Sequence, residues 1–137
     1  MKKLLLLLLI ITLTSFNSNN QTTDFVGKWL GDENGEIGYI IFDKEGYASF
    51  EIEGQVLGGK EFEMNGEKGK MTYKVNNNTD PIEVDFTLTK LETGEQKQLF
   101  CIAKFIDADS MMFAMSFDEA RPSNFDGDTT IILKRVE

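Results

Sequence analysis

A chain of 137 residues with eleven phenylalanines has the length of one domain and the apolar bulk for one core. Its 14 basic and 23 acidic residues give a net charge of −9, which argues against nucleic acid and anionic lipid as partners, since both need a basic patch. It holds no histidine and one cysteine, Cys101, so Ser-His-Asp catalysis, Cys-His catalysis and an internal disulfide are excluded as well.

The chain begins with Lys2 and Lys3, then an apolar run of about ten residues, then a small polar stretch ending near Asn20. That order predicts a secretory signal peptide over 1–20, cut between Thr14 and Asn20. The run is too short to span a bilayer, which needs about 20 apolar residues. No cysteine follows it, which removes the bacterial lipoprotein route. The mature protein, 21–137, is expected to be periplasmic or secreted from a bacterium. It would lack Lys2 and Lys3 and no acid, leaving 12 basic against 23 acidic residues, a charge of −11. The N-x-T triplets at Asn20 and Asn77 are then incidental.

Strands fill the rest. The first runs through 25–30 and carries the only tryptophan, Trp29, two residues after Gly27. Asn34-Gly35 is a hairpin signal before the next strand, 37–43. In 47–54, Ala48, Phe50 and Ile52 alternate with Ser49, Glu51 and Glu53. The stretch 55–69 is irregular, with a short strand open over 60–64. Strand 70–75 puts Met71, Tyr73 and Val75 on one face. After a turn at 76–81, strand 82–89 sends Ile82, Val84, Phe86 and Leu88 one way and Glu83, Asp85, Thr87 and Thr89 the other. Strand 98–106 is apolar on both faces and should be a covered central strand. It contains Cys101, read as an inert core residue. Strand 110–117 aligns Met111, Phe113, Met115 and Phe117, and strand 129–136 closes the chain. No apolar 3.6 period persists for ten residues, so no helix is required. Eight strands, or nine if 60–64 pairs, predict an all-β antiparallel up-and-down barrel, because closure removes sticky edges.

Arg135 shares a strand face with Ile131 and Leu133. A charge on an apolar face is costly unless satisfied, and stacking on Trp29 with backbone carbonyls as acceptors would satisfy it. The Gly27-Lys28-Trp29 start resembles the G-x-W signature of lipocalin-like barrels. That resemblance implies a Trp packed across a closed barrel end with a basic residue of the last strand over its ring. The later segments D-P-I-E-V-D-F-T-L, A-R-P-S-N-F and I-I-L-K-R resemble a small lipocalin-like bacterial domain family, itself without an agreed activity, named for planctomycetes. The likeness covers roughly 25–136. It implies an eight- or nine-stranded lipocalin-like barrel, and no activity.

The candidate sites each have two readings. Phe50, Ile52, Met71, Tyr73, Phe86, Leu88, Met111, Phe113 and Met115 form the interior, either as a filled core or as the lining of an apolar ligand cavity. Arg121, Pro122 and Phe125 form a special loop. In one reading it is structural, with Arg121 on a nearby acid and Phe125 as a plug. In the other it is a lid at the barrel mouth, with Arg121 holding an anionic ligand group. Acids at 126–128, with Asp118 and Glu119, and at 32–36 fail the spacing of a calcium loop, so no metal is expected. Glu51 with Glu53 and Glu83 with Asp85 look like solubilising charge, so no enzyme and no cofactor is expected. The reading that follows is a lipocalin-like carrier of a small apolar molecule. The alternative is a filled barrel acting from outside, as an envelope interaction or inhibitor module.

Overall fold

The computed structural model describes residues 24–33, 36–116, 120–127 and 129–136, with backbone alone at 32, 33, 36 and 37. The segment 1–20, the Asn34-Gly35 pair, Phe117, Asp118, Glu119 and Asp128 lie outside the described residues.

Ten strands form one antiparallel sheet: β1 Gly27–Glu33, β2 Glu36–Phe42, β3 Ala48–Ile52, β4 Gln55–Gly58, β5 Phe62–Met64, β6 Glu67–Asn76, β7 Ile82–Lys90, β8 Gln96–Asp107, β9 Ser110–Ser116 and β10 Thr130–Arg135. Their order around the sheet is β4-β3-β2-β1-β10-β9-β8-β7-β6-β5, an up-and-down path in which the first strand pairs the last. The fold is all-β, and the described residues contain no α-helix.

The sheet curls into a nearly closed barrel. Its two ends, β4 and β5, do not pair with each other. The seam is stitched a little deeper. Tyr47 bridges to Thr72, the Met71 amide donates to Gly59 O at 2.9 Å, and the Tyr73 amide donates to Gly46 O at 2.9 Å. The Tyr73 hydroxyl adds a bond to Asp43 O at 2.8 Å. These contacts dock the β2–β3 turn onto β6.

Ten strands replace the eight or nine expected. The difference lies in 55–69, which folds as β4, β5 and the start of β6. Two tight turns make this possible. Glu53 and Gly54 have φ of 53° and 82°, and Asn65 and Gly66 have 56° and 81°. Two consecutive residues at positive φ define the mirror-image turn whose twist suits a two-residue hairpin. Strands of four and three residues show too little alternation to be read from sequence.

Alternation places the core. Val84 and Phe86 on β7, Met71 and Tyr73 on β6, and Met111 and Phe113 on β9 are buried, while their neighbours in sequence face outward. On β8 both faces are covered at the centre. Cys101 and Ala103 point in, and the outward Ile102 is only 2% exposed. Phe100, also outward, lies beneath the Arg121 guanidinium at 5.1 Å.

Candidate functional site

One end of the barrel is shut by side chains from both chain ends. Gly27 has φ of 140°, a conformation that favours glycine, and leads into Trp29, which is fully buried. The indole N–H donates to Phe25 O at 2.8 Å, so the one polar atom of the ring is satisfied. Trp29 sits directly across from Arg135, because β1 and β10 pair in that register. The guanidinium carbon stands 4.2 Å from the ring centre. Its N–H groups donate to Val26 O and Asp24 O at 2.6 Å each, to Ala108 O at 3.2 Å and to Asp109 Oδ1 at 3.1 Å. The structure thus brings Gly27, Trp29 and Arg135 into one closure.

Behind that closure the interior is filled by rings. Phe105 tilts against Trp29 at 6.1 Å and meets Phe25 edge-on at 5.1 Å. Phe25 meets Phe42 at 5.7 Å, and Phe42 meets Tyr73 at 4.8 Å and Phe86 at 5.8 Å. Phe86 continues to Phe50 at 5.3 Å and Phe113 at 6.2 Å. Met71 and Met111 complete the packing and are as buried as the rings. Phe50, Leu88 and Met115 are half-buried at its margin, and Ile52 is 53% exposed. The nine residues assigned to the interior therefore divide. Met71, Tyr73, Phe86, Met111 and Phe113 pack on their neighbours in the core. Phe50, Ile52, Leu88 and Met115 lie toward the other end.

Two buried titratable groups belong to this core. Burial, then the charge of Asp85, pushes the Cys101 thiol up to about 12, with Arg121 and the Ser116 backbone opposing. Such a thiol is a poor nucleophile at neutral pH. Burial, then Asp43, raises the Tyr73 phenol above its ordinary value.

The far end is a mouth. A half-open depression of about 330 Å³ lies there, floored by Phe62, Met64, Gly69 and Leu88. Glu67, Lys68, Lys90, Glu95 and Lys97 stand around it. Gly69 shapes the floor, since a Cβ there would come within 3.3 Å of the Phe62 ring and 3.1 Å of Thr89 O. Lys90 is shared by Glu67 and Glu95, both at 3.4 Å, and these acids raise its pKa. Of the residues expected to line a ligand site, only Leu88 borders this depression. Phe62 and Met64 went unassigned because 55–69 shows no long alternation. The Asn65-Gly66 pair with apolar residues at 62 and 64 was the available signal.

The Arg121 segment lies elsewhere. Its guanidinium reaches Asp85 Oδ1 at 2.7 Å and Glu83 Oε2 at 3.5 Å, and donates to Cys101 O at 2.9 Å. Glu83 and Asp85 alternate with buried Val84 and Phe86, so Arg121 sits against the outer wall of β7 and β8, away from the mouth. The Asp85 contact is an ion pair without the alignment of a hydrogen bond, and it leaves Oδ1 buried with Arg121 beside it. Burial opposes the Arg121 charge, but Asp85 and then Glu83 outweigh it, so its pKa rises. Pro122 and Phe125 are half-buried in the same segment.

Among the described residues, no three His, Cys, Asp or Glu side chains converge as metal ligands. No helix there is long and apolar enough to cross a membrane. Comparison with family models, curated proteins and solved structures finds no match to this chain. The fold and the site define the class: an all-β, nearly closed ten-stranded antiparallel barrel. One end is plugged by Trp29 and Arg135, and the other opens on an apolar-floored depression.

Proposed function

We propose that this chain is an exported, non-catalytic, lipocalin-like barrel that binds a small, mostly apolar molecule at its open mouth. Cleavage of the segment 1–20 would release it into the periplasm or the medium. The observation that carries the reading is the depression of about 330 Å³ on Phe62, Met64 and Leu88. Its size is at the lower end of the range for small-molecule sites, and its apolar floor is rimmed by the polar and charged side chains of Glu67, Lys68, Thr89, Lys90, Glu95, Gln96 and Lys97. The ligand thus sits beyond the ring-filled centre, not within it. Lipocalin-like character is supported by the G-x-W start and by the Trp29–Arg135 stack.

The filled centre favours a second reading. Met71, Phe86, Met111 and Phe113 are at most 1% exposed, as in an ordinary packed core. A barrel with such a centre would act through its outside, on an envelope protein. Native mass spectrometry of the purified protein separates the two. A co-purifying mass of a few hundred daltons, lost when Leu88 is replaced by Asp, supports the carrier. A bare chain that also ignores added ten-carbon amphiphiles supports the second reading.

A further inference from the structure

Among the described residues, Lys97 makes no ion pair. It lies directly opposite Leu88 in the β7–β8 register, so the two share the inward face at the mouth. Leu99 and Cys101, two and four residues along β8, point the same way and are buried. Glu67 and Glu95 are the acids that line the depression, and both engage Lys90. Lys68 lies across from Glu63 on the other strand face. Lys97 is left beside an apolar floor with no ion pair among the described residues. An ammonium group there carries three donors and is matched by an anion, which forms shorter and stronger hydrogen bonds than a neutral acceptor.

We propose that the mouth takes a single-chain amphiphile with an anionic head. Its tail lies on Phe62, Met64 and Leu88, and its head meets the Lys97 ammonium. The proposal rests on the carrier reading and names its ligand class. A volume of about 330 Å³ is near the lower bound for small-molecule sites, so the tail is short. A cationic head would meet Lys97, since Glu67 and Glu95 are already engaged by Lys90. A neutral head would leave Lys97 to water. The chain's net charge of −9 repels anions at long range, which makes a local cation the necessary anchor.

Calorimetric titration of the full chain at low salt, with decanoate, decanol and decyltrimethylammonium, tests this. Decanoate is expected to bind about tenfold tighter than either of the others, the effect of one charge-assisted contact at a half-open site. Lys97→Gln should remove that tenfold for decanoate and leave decanol unchanged, while Lys97→Arg should keep it. A circular dichroism melt matching the parent chain shows that the exposed substitution leaves the fold intact. Equal binding of decanoate and decanol, a preference for the cation, or indifference to Lys97→Gln overturns the anionic head while the mouth site stands. Failure of all three to bind overturns the carrier reading and this proposal with it.

Discussion

Trp29 and Arg135 face each other across the β1–β10 pair, with the guanidinium carbon 4.2 Å from the ring centre. They join the first strand to the last and cap one barrel end. Trp29→Ala should cost about 3–5 kcal/mol, the usual loss for a large buried aromatic. Arg135→Ala should also destabilise, since it gives up the stack and strands the Val26 and Asp24 carbonyls. The stack is worth about 0.5–2 kcal/mol, so the double variant should lose less than the two singles together by that amount. Urea melts of the four proteins measure it. Strict additivity would refute the coupling.

Much of this fold is legible in the residues because most strands are long and one face is buried. Ile82 to Leu88 alternate cleanly, and the structure buries Val84 and Phe86 as that pattern requires. Arg135 is legible for a different reason: a charge on an apolar face needs a specific partner, and one tryptophan is present. The mouth is largely hidden because, Leu88 apart, its floor comes from β5, three residues long, and from a glycine that contributes only space. The position of Arg121 is hidden because Glu83 and Asp85 look like plain surface charge. Only the folded chain brings the guanidinium across from position 121 to meet them.

Gly58 is the tightest point of the seam. Its φ is 122°, and a Cβ would meet Ala48 O at 2.5 Å and Ser49 Cα at 2.8 Å, both backbone atoms that cannot swing away. The next residue ties β4 to the rest of the seam, through Gly59 N to Ala48 O at 2.7 Å and Met71 N to Gly59 O. Gly58→Ala should therefore cost about 3 kcal/mol or more, through strain and a displaced seam together. Gly54→Ala, with φ of 82° but open space around it, should cost only about 1–2 kcal/mol. Hydrogen exchange should show the Met71 amide losing protection in the first variant and keeping it in the second.

Arg121 fastens its segment to the outer wall. Arg121→Ala removes contacts to Asp85, Glu83, Cys101 O and the Phe100 face at once. The ion pairs are partly exposed, at 24–34% of each side chain, so the global cost should stay near 1–2 kcal/mol. The local effect should be larger, because the segment loses the contacts that anchor it. Limited proteolysis should cut within 120–127 in this variant while the parent chain resists there. Equal cutting rates would show that Arg121 does not fasten the segment.

Cys101 gives the barrel an alkaline limit. Its thiol titrates near 9 when exposed and is pushed up to about 12 in the fold, chiefly by burial. Between these values the unfolded chain has lost the proton and the folded chain still holds it. Stability must then fall as pH rises, because the folded state binds more protons. Below pH 9 both states are protonated and the thiol contributes no slope. Each unit of separation is worth about 1.4 kcal/mol, so the ceiling of the loss is about 4 kcal/mol by pH 12. Tyr73 shifts in the same direction, through burial and then Asp43, and adds to the fall at higher pH. Urea melts from pH 7 to 11 should show a flat stability to about pH 9 and a decline beyond it. Cys101→Ala should start lower, having lost a buried side chain, but decline less steeply. Equal slopes in the two proteins would place the alkaline sensitivity elsewhere.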